Sequence, residues 1–154
     1  MIEEDIERNI VERIDALNID GLAVRGMWAL AASGEVKGED AGDAAAAVVS
    51  VSPRSFDSFA HPAVTFDISV SVVIRTDLCP NGEMVRTCSQ RLMDMFGQWN
   101  VSLHAGAADD CGFSVPGFRP GGIQLTGGMG PAFNRSKCIW TVDFNLTLKA
   151  VVHA

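Results

Sequence analysis

The sequence predicts an α+β domain, a mixed and mostly antiparallel sheet of four to five strands with two helices packed on one face. Three observations carry that prediction. Two long runs, residues 64–75 and 138–152, alternate apolar and polar side chains, the mark of strands with one buried face. Residues 83–99 and 2–17 instead repeat their apolar positions at spacings of three and four, the mark of amphipathic helices. One apolar strand face and one apolar helix stripe are buried together when helices lie across a sheet.

In chain order, Ile2, Ile6, Ile10, Val11, Ile14 and Leu17 make the first helical stripe, with Glu3, Glu4 and Asp5 in the first turn where the helix dipole favours negative charge. Asn18 and Asp20-Gly21 stop it. Residues 22–32 are apolar and ambiguous: Leu22-Ala23-Val24 reads as a short strand, with Trp28 and Leu30 returning to the core. Residues 46–52 read as a strand stopped by Pro53.

The next strand has Val64, Phe66, Ile68, Val70, Val72 and Ile74 on its buried face, and at ~3.3 Å per residue it spans roughly 40 Å. Turn formers at 77–82 separate it from the helix carrying Met84, Val85, Cys88, Leu92, Met95, Phe96 and Trp99. A short strand at 122–126 follows, then Gly127-Gly128-Met129-Gly130-Pro131, read as a hairpin turn. The final strand places Cys138, Trp140, Val142, Phe144, Leu146, Leu148 and Ala150 on one face. The predicted order is α-β-β-α-β-β in a single domain, residues 1–154, with long loops at about 33–43, 53–62 and 101–121.

Composition narrows the function classes. With 154 residues, 47% hydrophobic and 20% charged, the chain is long enough for a substantial core. A net charge of −7 disfavours sequence-specific nucleic-acid binding, which needs Lys and Arg against phosphates. No apolar run reaches the length of a membrane span, and the acidic start Met1-Ile2-Glu3-Glu4-Asp5 is unlike a signal peptide. The four cysteines, Cys79, Cys88, Cys111 and Cys138, form no Cys-x-x-Cys pair and read as buried thiols in a reducing compartment.

Chemistry is not legible. Cys111 with His104 and Asp109 or Asp110 has the residue types of a thiol nucleophile, its base and an orienting group, but no family spacing. His61, His104 and His153 are too scattered for a metal cluster. Gly127–Gly130 has no helix after it, as a phosphate loop requires. The reading is therefore non-enzymatic, without cofactor or metal.

The remaining signals concern association. The two long strands exceed what a core of this size needs, so their ends and edges are expected to reach a neighbouring chain. Phe56, Phe59, Phe113 and Phe118 lie in predicted loops and are the candidate subunit-interface residues, aromatics being enriched in interface cores. The other reading of Phe56 and Phe59 is that they fold back under the sheet.

The short N-terminal helix, the turn at Asp20-Gly21, the strand ending Val48-Val49-Ser50-Val51, the run Pro62-Ala63-Val64-Thr65-Phe66-Asp67-Ile68-Ser69-Val70, the helix at 83–99 and the terminal strand with Trp140-Thr141-Val142-Asp143-Phe144 together resemble the tail terminator proteins of long-tailed phages and prophages, the minor tail protein U-like or tail completion family. That resemblance is one of order, length and texture over most of the chain. It implies a structural protein of the virion tail, assembled in the bacterial cytoplasm as a homo-oligomeric, hexameric ring. Such a ring caps the tail tube, joins it to the head, and has tail-tube and head-connector proteins as partners. An acidic channel would let DNA pass without sticking. The competing reading is a cytosolic module binding a small molecule or peptide in an apolar pocket near Trp28, Trp99 and Trp140.

Overall fold

The computed structural model describes residues 2–33, 45–56, 63–76, 82–104 and 118–152. They form α1 (Ile2–Asp15), β1 (Leu22–Gly26), α2 (Met27–Ser33), β2 (Ala45–Phe56), β3 (Ala63–Arg75), α3 (Glu83–His104), β4 (Phe118–Asn134) and β5 (Ile139–Val152). The five strands make one sheet in the order β1-β2-β3-β5-β4, with β1 and β2 parallel and the other pairs antiparallel. This is the predicted α+β class, with one additional short helix.

The core follows from the two periodicities. Phe66, Ile68, Val70, Val72 and Ile74 of β3 share a face with Ala45, Ala47, Val49 and Val51 of β2 and Val142, Phe144, Leu146 and Leu148 of β5, and all are buried. Ile6, Ile10 and Ile14 of α1 and Val85, Cys88, Leu92, Phe96 and Trp99 of α3 join them in one apolar cluster. Phe96 meets Phe144 edge-on at 5.2 Å and Trp99 at 5.1 Å, within the preferred range for aromatic pairs. Arg91 of α3 donates to the carbonyl of Leu17 beyond α1 at 2.6 Å, tying the two helices together. The opposite sheet face carries Ser50, Ser69, Ser71, Thr141, Asp143 and Asn145, where Ser71 hydrogen-bonds Asp143 across the strands.

Several boundaries differ from expectation. β2 does not stop at Pro53 but continues to Phe56 with an irregularity between Pro53 and Ser55. The reason is position: β1 pairs with β2 only as far as Val49, so Pro53 lies where β2 has become an edge and at an irregularity, the two settings in which a strand accommodates proline. The predicted loop at 53–62 is shortened accordingly, and that at 101–121 loses both ends to α3 and β4. Met27–Ser33 is helical; Leu30 returns to the core as expected, but Trp28 does not and is 40% exposed. Seven residues are too few to display a helical period.

The glycine-rich stretch is not the hairpin turn. β4 runs through it to Asn134, irregular at Pro120/Gly122, Leu125/Gly127 and Met129/Ala132. The reversal is at 135–138, where Asn134 Oδ1 accepts from the backbone N–H of Ser136 (3.1 Å) and Lys137 (3.2 Å). Cys138 takes φ 54 in this turn and is exposed, contrary to the buried thiol expected; Cys88 is buried as expected.

Gly128 is required by the fold. Its φ is +156, and a Cβ there would overlap the backbone carbonyl of Asp143 in β5. Gly128→Ala is expected to separate the two strands locally and lower stability by about 1–3 kcal/mol, as read by chemical denaturation.

Candidate association interface

The long strands are explained by internal pairing. Every residue of β3 from Ala63 to Arg75 is in register with β5, and Val64–Ile74 are also flanked by β2. Neither strand has a free edge or an overhang for a neighbour, so the expected interface on them is corrected. Among the described residues the outer edges of the sheet belong to β1, to the stretch of β2 beyond Val49, and to β4. β4 is a poor template for strand addition, because its irregularities and Pro120 and Pro131 break the row of backbone donors.

Apolar side chains mark both edges instead. Met27 (49% exposed) and Trp28 (40%) stand on α2, which follows β1 directly. Met93 (47%), Met129 (62%) and Phe133 (45%) are exposed on α3 and β4. Between α3 and β4 runs an open groove of about 370 Å³, lined by Ser89, Met93, Leu125, residues 126–130 and Val142–Phe144. Three of the residues that β4 contributes to its lining, Gly127, Gly128 and Gly130, are glycines. Gly127 and Gly130 differ from Gly128: their φ is not positive, and an added Cβ would meet nothing within 4 Å. Nothing inside the described chain requires glycine there.

The two patches are level with each other. Gly26, the residue before Met27, pairs with Val49, Val49 with Val70, Val70 with Phe144, and Phe144 with Gly128. One row across the sheet therefore connects the α2 patch to the groove, over four strand spacings or roughly 19 Å.

Of the candidate interface residues, Phe56 ends β2 opposite Val64, and Phe118 opens β4 opposite Val152. Their backbones come to the same end of the sheet, with β3 and β5 between them. Phe59 and Phe113 lie outside the described residues, as do Cys111, Asp109, Asp110, Cys79 and His61; His104 is the last residue of α3. The three tryptophans do not share a pocket. Trp99 is buried with the Arg13 guanidinium 5.8 Å from its ring centroid, Trp140 stacks on Phe133 at 5.1 Å near the hairpin turn, and Trp28 is at the β1 edge. Among the described residues no group of His, Cys, Asp or Glu is arranged to hold a metal ion, and no helix is long and apolar enough to cross a membrane.

One residue escaped the sequence reading. Glu7 of α1 is only 2% exposed and accepts a hydrogen bond from the backbone N–H of Trp28 at 2.7 Å, and another from Ala29. A Cβ on Gly26 would overlap its carboxylate, so glycine at 26 admits it. The signal available was its place between Ile6 and Ile10, on the flank of the apolar stripe.

No family model matches the chain, and no curated protein matches it.

Proposed function

We propose that the chain is a structural subunit that associates head to tail with copies of itself into a ring, and that the ring acts as a phage tail terminator does, capping a tail tube and offering a surface to the head connector. The observation that carries this reading is the pair of apolar patches on opposite sheet edges at one level. A contact between two different surfaces of identical subunits is heterologous, and it closes into a ring when the rotation per subunit allows. The Met27/Trp28 projection and the glycine-floored groove are different in shape, as such a contact needs. Gly127 and Gly130 support it further, since glycine in a strand without an internal reason marks close approach by another group. With β1 and α2 set aside, the remaining order α1-β2-β3-α3-β4-β5 is the α-β-β-α-β-β order of the resemblance, and a charge of −7 suits a passage for DNA. The subunit would be made in the bacterial cytoplasm and carried in the virion tail.

The direct test is electron microscopy of the protein mixed with purified tail tubes. Rings at tube ends, with tube elongation halted, are expected; tubes that keep growing with bare ends would refute the terminator role. A second expectation concerns Gly130→Ala. It leaves the melting temperature of the subunit unchanged or slightly higher, because the added methyl meets open space, while weakening self-association in sedimentation by about tenfold or more.

A further inference from the structure

We propose that Glu7 is a proton-linked latch that sets how firmly α2, with Met27 and Trp28, is held to the sheet edge. The geometry is that of a carboxylate shared between two elements. Its Oε1 accepts from Trp28 N, and its Oε2 is buried with no hydrogen-bond partner among the described residues. α2 has seven residues, too short to be stable by itself, and this carboxylate supplies acceptors for its first N–H groups. Gly26 lies against the side chain on the β1 side, where a Cβ would overlap the carboxylate.

The surroundings fix the direction of the response. Burial pushes the Glu7 carboxyl above the usual carboxylate range, the hydrogen bonds from Trp28 and Ala29 pull it down by less, and the negative charge of Glu4 adds to the rise. α2 brings no titratable side chain. On β1, Arg25 is on the strand face opposite Gly26 by alternation, and β2 contributes none between Ala45 and Val51. On α1, Arg13 turns to the Trp99 ring. A carboxyl raised in the folded state binds its proton more tightly there than in the open or unfolded chain. The docked state is therefore favoured below the ordinary glutamate pKa, about 4.3, and that advantage is lost as pH rises through the raised value. Above it Glu7 is ionised in a dry site with one oxygen unpartnered, and undocking α2 lets water reach it. The latch is closed in acid and loosens toward alkali. This holds whether or not the chain assembles.

The experiment uses the full chain labelled with fluorotryptophan, whose three resonances are assigned with Trp28→Phe, together with amide exchange at Trp28 and Ala29 corrected for intrinsic rates. The Trp28 resonance is expected to titrate with a midpoint above the ordinary glutamate range. Protection of the two amides should fall with rising pH, by roughly tenfold for each pKa unit of elevation. Glu7→Gln, neutral at every pH, should hold both readouts flat and at the protected level. Persistence of the transition in Glu7→Gln, loosening in acid instead of alkali, or joint movement of all three tryptophan resonances would each overturn the latch.

Discussion

Phe144→Asp is expected to leave the chain unfolded at room temperature. Phe144 is 2% exposed at the centre of the sheet, paired to Val70 in β3, and its ring meets Phe96 of α3. Loss of the aromatic side chain alone costs about 3–5 kcal/mol. The introduced carboxylate then has to be desolvated among Val70, Phe96 and Leu146 or be expelled by opening the helix from the sheet, which adds several kcal/mol more. Against a total stability of about 5–15 kcal/mol for a domain, the sum is enough. Ile68→Asp, one row of the same face away, should do the same. Circular dichroism reads the outcome: a variant with a native melting transition would mean that β5 turns its other face to the helices.

The second large effect is on association, with the fold intact. Met129→Asp puts a charge at a side chain that is 62% exposed on β4, and Trp28→Ser shortens one that is 40% exposed on α2. Neither removes a fully buried group, so each should change subunit stability by no more than about 1 kcal/mol. At an interface, apolar anchors of this kind are worth about 2 kcal/mol or more, roughly thirtyfold in affinity. If the two edges meet head to tail, each variant breaks every contact in a ring. Mixing the two gives no rescue beyond one good junction per pair, since a Trp28→Ser subunit still offers an intact groove and a Met129→Asp subunit an intact α2. A heterodimer that grows no further is the signature of a heterologous contact.

What the sequence made legible was periodicity long enough to repeat. β3, β5, α1 and α3 each show several cycles of their period, and their buried faces are the ones expected. The elements missed were short or irregular. α2 is seven residues of Met, Trp, Ala, Leu and Ser, and β4, legible only as a short strand at 122–126, passes through glycines and prolines that normally mark turns. β4 tolerates them because it is an edge whose outer backbone groups need no partner. The length of the two long strands looks like surplus in the sequence alone, whereas the five-stranded sheet pairs it internally. That pairing moves the candidate interface from strand ends and loop phenylalanines to the sheet's two edges. Glu7 was hidden because its environment depends on α2, itself unseen in the sequence.

The most direct test of head-to-tail assembly is the solution mass of the protein over a wide concentration range, measured for the native chain, for Met129→Asp and for an equimolar mixture of Met129→Asp with Trp28→Ser. The account predicts a closed oligomer of fixed size for the native chain, a monomer for Met129→Asp with its melting temperature retained, and dimers for the mixture. A native chain that stays monomeric at every concentration, with tail tubes present as well as absent, would contradict it.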